Sequence, residues 1–322
     1  MLAAGASAQA GTLAATAGES AGAAGNADSG AAVSGSGRGG AGAGADNVSV
    51  AGAAAPPTRV TPDAGAPAAG SGGADAGMIG AVCDRPAIAG STMPAIYVIG
   101  DSTASVYEKN LHPRTGWAQV LNEYFAPGCA TVRDQALSGR SSKSFYDEGS
   151  WTPVRNALRA GDFVFIQFGH NDEKTDDPQR YTEPATTFTQ YLTKYLEETI
   201  AKGATPLLLT PIQRNKWSGG KLADTHGAYP AAMRQLAQQR KLGLIDMTQL
   251  TSSYFERIGQ TMTTALFMNL ARGESPNYPN GNEDDTHLQD KGARVVCQLA
   301  VADLVRQKIM PAALLKTAPD SP

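Results

Sequence analysis

From residue 95 onward, short continuous apolar runs alternate with longer stretches in which apolar residues recur every three or four positions. Ala95-Ile96-Tyr97-Val98-Ile99 is apolar throughout and stops at Gly100. Phe163-Val164-Phe165-Ile166-Gln167-Phe168, closed by Gly169, is the strongest run of this kind. Pro206-Leu207-Leu208-Leu209-Thr210 and Leu244-Ile245-Asp246 add two more, and Thr131-Val132-Arg133 is a weaker fifth. Such short runs predict strands buried on both faces. Between them, 117–125, 186–202 and 230–241 have helical spacing, and 290–308 sets Val295, Leu299, Ala302 and Val305 on one helical face. Strands alternating with helices, without tight hairpin signals, predict an α/β three-layer sandwich around a five-stranded parallel sheet. In such a sheet, ligands gather beyond the carboxyl ends of the strands.

The first 80 residues lack this pattern. They hold 19 of the 36 Gly and 27 Ala, filling 46 of 80 positions, and none of the 21 aromatic residues. A segment so poor in large apolar side chains cannot offset the entropy lost on folding. Residues 1–80 are therefore expected to form a disordered Ala/Gly/Ser-rich tether ahead of one folded domain, 81–322. Charge excludes other classes: 27 basic against 30 acidic residues give no dominant field for nucleic acid or an anionic membrane. No stretch approaches the roughly 18 apolar residues of a membrane span. Met1-Leu2-Ala3-Ala4-Gly5-Ala6 has neither a basic start nor a Leu-rich stretch, so no export signal is visible. Three Cys allow at most one internal disulfide.

Chemistry is sought at the strand ends. Gly100-Asp101-Ser102-Thr103-Ala104 follows the first strand, and a Ser on a strand-to-helix turn exposes its hydroxyl at the catalytic edge of a sheet. Helix capping would use the same residue types. The Asp101 side chain is expected to order this turn. Gly169-His170-Asn171-Asp172 follows the third strand. The Asn171 amide is a neutral donor suited to a developing oxyanion, although loop-capping Asn residues are common there; His170 is assigned to structure. Gly139 follows the second strand, where a missing side chain lets a backbone N–H approach a ligand. Asp284-Asp285-Thr286-His287 precedes the last helix. A carboxylate three residues before an imidazole can accept from its Nδ1–H and free Nε2 to take a proton from Ser. The four His and three Cys show no zinc-site spacing, so no metal is expected.

Together, Gly100-Asp101-Ser102, Gly139, Gly169-x-Asn171-Asp172 and Asp284-x-x-His287 resemble the four blocks of the SGNH (GDSL-type) hydrolases. Three stretches carry a finer likeness to the rhamnogalacturonan acetylesterase-like branch: Gly100-Asp101-Ser102-Thr103, Gly139-Arg140-Ser141-Ser142-Lys143-Ser144-Phe145, and Asn277-Tyr278-Pro279-Asn280-Gly281 leading into the final block. Asp134 departs from this pattern, standing where the second block usually has Asn. The resemblance covers about 90–310 and implies a flavodoxin-like SGNH fold with 81–322 as the catalytic domain. It also implies a cofactor-free serine esterase that removes acetyl groups from plant cell-wall polysaccharide. Ser102, His287 and Asp284 would be its triad, and Ser102, Gly139 and Asn171 its oxyanion hole. Arg140 and Lys143 are candidates for contact with an acidic glycan; Tyr278, Trp217 and Trp151 are candidates for stacking on sugars. A protein with this substrate is expected to be secreted or tethered at the cell surface, and export would suit a Cys83–Cys129 disulfide with Cys297 reduced in the last helix. The competing expectations are another SGNH esterase (acetylxylan esterase, lipase or thioesterase) and a non-catalytic carbohydrate-binding surface module. The polar loops 175–183 and 215–227 do not suit a long acyl chain.

Overall fold

The computed structural model describes residues 93–316. The expected tether over 1–80 lies outside them, as does Cys83. In chain order the strands are β1 (Ala95–Gly100), β2 (Thr131–Asp134), β3 (Phe163–Gln167), β4 (Thr205–Leu209), β5 (Trp217–Ser218), β6 (Lys221–Leu222) and β7 (Gly243–Ile245). Five of them form the central sheet in the order β2-β1-β3-β4-β7, all neighbours parallel. All five expected strands are present, with ends that differ by at most one residue.

The helices are α1 (Ser142–Asp147), α2 (Trp151–Ala157), α3 (Thr189–Ala201), α4 (Tyr229–Arg240), α5 (Met247–Thr264) and α6 (Asp290–Gln307). Strand side chains alternate between faces, and the continuous apolar runs supply both. Ile96, Val98, Phe165, Leu207 and Ile245 pack with Trp117, Phe255, Val296 and Leu304, contributed by α5, α6 and the 3₁₀ run Trp117–Tyr124. Tyr97, Ile99, Val164, Ile166 and Leu208 pack with Phe145, Trp151, Tyr195 and Met233, contributed by α1 to α4. Each such side chain stabilises the fold by about 1.5–3 kcal/mol on burial. Two helical layers thus cover a sheet whose carboxyl edge stays free for the loops.

Several elements differ from expectation. The 117–125 helix is 3₁₀ rather than α, and 186–202 opens with a π turn, Pro184–Phe188, before α3. α1 and α2 have six and seven residues, too few for an apolar period to emerge. In α5 the pattern is interrupted at Gly259, whose φ is +79°. A small hairpin, β5–β6, is also present. Its turn residues Gly219 and Gly220 both have positive φ, the conformation that lets two residues reverse an antiparallel pair. Cys297 is a free, buried thiol in α6, and Cys129 is disulfide-bonded. Among the described residues no helix is long and apolar enough to cross a membrane.

Candidate active site

β1 delivers the chain to a tight turn. Asp101 Oδ1 accepts from the Thr103 N–H (2.9 Å) and hydroxyl (2.8 Å), while the Ala104 and Ser105 N–H groups donate to the Asp101 carbonyl. Ser102 sits at the top of this turn, and its carbonyl accepts from Tyr107 Oη at 2.6 Å. The side chain of Asp101 therefore orders the turn, as expected from the sequence.

The loop before α6 brings the imidazole to this hydroxyl. His287 Nε2 lies 2.8 Å from Ser102 Oγ, and His287 Nδ1 lies 2.7 Å from Asp284 Oδ2. An ionised carboxylate can only accept, so the network assigns the proton to Nδ1 and leaves Nε2 free to accept from the Ser102 hydroxyl. Asp284 Oδ1 also accepts from the Thr286 and His287 N–H groups, each at 2.9 Å. Burial by itself would raise the Asp284 carboxyl. The His287 imidazole and these backbone donors outweigh it and hold the group down at about 2.

The adjacent acid has a different role. Asp285 Oδ1 accepts from Asn215 and Asn269 Nδ2, both at 2.9 Å, and its Oδ2 accepts from Lys216 Nζ at 2.6 Å. Asn269 Oδ1 in turn accepts from the Asp284 N–H at 3.1 Å, and the Met268 N–H donates to the His287 carbonyl at 2.8 Å. The loop carrying Asp284 and His287 is thus clamped from two sides before it reaches Ser102.

Gly139 and Asn171 meet at the same edge. The Leu137 N–H donates to the Gly100 carbonyl at 3.0 Å, which extends β2 alongside the Ser102 turn. Gly139 has φ +79°, a left-handed conformation that glycine adopts without strain. Asn171 Nδ2 donates to the Arg140 carbonyl at 3.0 Å. A primary amide carries two N–H donors, so one orients the side chain on the Gly139-Arg140 turn and the other remains. Beneath this turn Asp134 Oδ1 accepts from the Ala136 N–H at 3.0 Å, while its Oδ2 is buried without a hydrogen-bond partner. Burial pushes this carboxyl up to about 7 against that single donor.

The candidate substrate contacts fare unevenly. Arg140 is committed to Glu148 (2.9 Å) and the Ser138 carbonyl (3.1 Å), and Lys143 donates to the Pro178 and Gln179 carbonyls. Trp217 is half-buried in the β5–β6 hairpin, with Nε1 donating to Asn215 Oδ1 at 2.8 Å. Tyr278 is half-buried and donates to the Leu111 carbonyl at 3.1 Å. Trp151 corrects the sequence reading. It opens α2, is 1% exposed, packs edge-on against Tyr195 and donates to Glu198, so its ring cannot stack on a sugar.

Below the site lies a buried polar layer that the sequence did not disclose. His170 is fully buried, 3.3 Å from Asp101 and edge-on to His226, with no hydrogen bond on either ring nitrogen. Burial pushes it down to about 4, which keeps it neutral near neutral pH. His226 Nε2 lies 2.8 Å from the Ile212 carbonyl, and Glu173 pairs with both His226 and Arg214. Tyr107, Asn215 and Asn269 were also missed. The Asp285 contacts of Asn215 and Asn269 span 70 and 16 residues, and the five-residue step from Tyr107 to Ser102 matches no regular period, so spacing carried no signal. Two cavities of about 830 Å³ flank α4 and include neither Ser102 nor His287.

A parallel α/β sandwich with a Ser/His/Asp line at its carboxyl edge has the architecture of a hydrolase. Residues 98–295 match the GDSL-like lipase/acylhydrolase family, and the chain belongs to that family, the SGNH hydrolases, whose members are carboxylic ester hydrolases. It is 37% identical over 217 residues to the rhamnogalacturonan acetylesterase RhgT of Bacillus subtilis, covering 67% of this chain and 91% of that protein. It is 34% identical over 216 residues to YesY of the same organism, described as a probable rhamnogalacturonan acetylesterase, covering 67% and 94%. The crystal structure of Bacillus subtilis YxiM superposes with a TM-score of 0.59 at 30% identity, over 68% of this chain and 58% of that one.

Proposed function

We propose that the protein is a serine esterase that removes acetyl groups from a rhamnogalacturonan-like plant polysaccharide through a Ser102–His287–Asp284 acyl-enzyme mechanism. One observation carries the mechanism: the unbroken hydrogen-bond line from Asp284 through His287 to Ser102 Oγ. His287 Nε2 takes the Ser102 proton as Oγ attacks the ester carbonyl. Asp284, ionised down to about 2, holds the Nδ1–H tautomer and stabilises the imidazolium that forms. The tetrahedral oxyanion accepts from the Ser102 and Gly139 N–H groups and from the second N–H of Asn171. His287 then returns its proton to the departing sugar hydroxyl. A water deprotonated by His287 attacks the acetyl-Ser102 ester, and acetate leaves as Oγ recovers the proton.

The acetyl and polysaccharide assignments draw on the two Bacillus subtilis relatives, each matched over nine-tenths of its length. The loops near the site also favour a small acyl group. Their side chains are engaged in polar contacts such as Arg180–Asp177 and Tyr181–Glu183, and Asp224 Oδ1 accepts from the His226 and Gly227 N–H groups. Such loops offer little apolar lining to a long acyl chain. In this reading residues 81–322 form the catalytic domain, and the protein acts outside the cell, where its substrate lies.

Acetate release from acetylated rhamnogalacturonan, acetylxylan and acetylmannan tests the substrate class, with the first expected to be fastest. Negligible release from all three, with nitrophenyl acetate still hydrolysed, would remove the polysaccharide reading. Across a nitrophenyl ester chain-length series the acetyl ester is expected to turn over fastest; an optimum at long acyl chains would instead place the protein among the lipases or thioesterases.

A further inference from the structure

We infer that Arg114 forms an anionic subsite beside the nucleophile, where its guanidinium binds the carboxylate of a uronate residue in the glycan that carries the acetyl ester. The inference rests on the acetylesterase reading above and adds the charge by which the site would select an acidic glycan.

The loop bearing Arg114 is fixed to both halves of the Ser/His pair. On one side, Tyr107 donates to the Ser102 carbonyl, and the Arg114 guanidinium lies 4.5 Å from the centre of the Tyr107 ring. On the other, Arg114 forms an antiparallel bridge with Gln289, and the Thr115 N–H donates to the Leu288 carbonyl at 3.0 Å, immediately after His287. Gly116 closes the loop against the Ser102 turn: a Cβ there would lie 2.2 Å from the Ser105 carbonyl oxygen, a contact that only glycine avoids. The outer end of the loop is held by Asn277, whose Nδ2 donates to the Lys109 (2.8 Å) and His112 (2.7 Å) carbonyls, and by Tyr278 on the Leu111 carbonyl. Burial raises the Tyr107 and Tyr278 phenols, and the Arg114 charge opposes that rise at both. The guanidinium therefore sits on the Tyr107 ring, within the loop that binds Ser102.

Its charge is unmatched there. Arg114 takes part in no ion pair among the described residues, and its Nε is buried without a hydrogen-bond partner. The cations expected from the sequence to meet an acidic glycan differ in this respect, since Arg140 is paired with Glu148 and Lys143 is spent on two carbonyls. Holding a half-buried guanidinium on an aromatic ring without a carboxylate costs desolvation. Its planar fork matches a carboxylate in two parallel hydrogen bonds. A uronate neighbouring the acetylated sugar supplies that group as part of the substrate.

The test compares an acetylated uronate-containing oligosaccharide with the same oligosaccharide methyl-esterified at its carboxyls, so that acetyl group and sugar are constant and only charge changes. The wild type is expected to prefer the acidic form. Arg114→Gln is expected to lower the acidic-to-esterified ratio of kcat/KM by about tenfold or more, mainly through KM, as for loss of a charge-assisted hydrogen bond. Arg114→Lys should recover part of the ratio. Equal losses on both forms would mean that Arg114 serves only to position Tyr107 and would overturn the proposal. A wild type indifferent to esterification would overturn it as well. Calorimetric binding of a deacetylated oligogalacturonide separates this proposal from the activity it rests on. Binding weakened about tenfold or more by Arg114→Gln, in a protein that releases no acetate, would support the subsite and remove the acetylesterase reading. Binding unchanged by the substitution would remove the subsite alone.

Discussion

Asp284 with His287 and Asp101 with His170 are two carboxylate–imidazole pairs in reach of the same turn, yet they differ in alignment and in access to solvent. In the first pair the side chains are about a quarter exposed, the contact is an aligned 2.7 Å hydrogen bond, and the far nitrogen meets Ser102. In the second, both side chains are buried, the contact is 3.3 Å without hydrogen-bond alignment, and neither ring nitrogen bonds further. Burial would raise the Asp101 carboxyl; His170 and the Thr103 donors hold it down instead, and burial keeps His170 neutral. A proton shuttle needs an imidazole that can gain charge, and partial exposure with an adjacent aligned carboxylate provides for it. A fully buried imidazole beside a carboxylate already occupied by Thr103 can only hold the turn in shape. We therefore propose that the chemistry resides in the outer pair and that the inner pair supports it.

Substitutions can break this contrast. The largest effect is expected for His287→Ala, which should lower kcat on nitrophenyl acetate by about 10⁴-fold or more while its melting temperature stays close to wild type. Near-normal turnover would remove His287 as the base. Asn171→Ala follows, with kcat down by about 10²–10³ and KM changed much less; steady-state kinetics that found the loss in KM instead would move Asn171 from oxyanion to ground-state binding. The inner pair should behave in the opposite sense. Asp101→Ala leaves the Thr103 N–H and hydroxyl without their acceptor and should cost about 2–4 kcal/mol in urea unfolding. A variant as stable as wild type would mean that the buried acid does not hold the turn.

The smallest effect concerns Asp134, a half-buried residue whose carboxyl has one donor and no imidazole. Its folded value, about 7, lies above its ordinary 3.8. Its stabilising contribution is therefore complete below about pH 4 and lost as pH rises through about 7. Asp134→Asn, which restores the residue usual in the second block, should melt a few °C higher than wild type at pH 8 and about the same at pH 4. Parallel melting curves at both values would show that Asp134 is not strained by ionisation.

How much of this was legible in the sequence depends on the distance over which each feature acts. The five strands could be read because a strand buried on both faces must be apolar at every position. α1 and α2 could not, since one or two turns contain no repeat, and α5, whose backbone breaks at Gly259, was not predicted. The pairing of Asp284 with His287 follows from three-residue spacing, whereas Asp285 is distinguished from Asp284 only by Asn215, Lys216 and Asn269, whose contacts span 16 to 70 residues. Trp151 was misjudged for a related reason. An aromatic residue after Gly149-Ser150 reads as a loop residue until Tyr195 and Glu198, more than 40 residues away, are found to surround it.

The sequence by itself determined the order and type of the sheet strands and the residue types able to act on an ester, because local patterning and backbone geometry act over a few residues. Tertiary structure alone decided what holds Asp285 away from His287, that burial keeps His170 neutral, and that Arg114 enters no ion pair among the described residues. Those outcomes depend on burial and on hydrogen bonds between segments tens to nearly two hundred residues apart, and electrostatic energies follow distance in space rather than position along the chain.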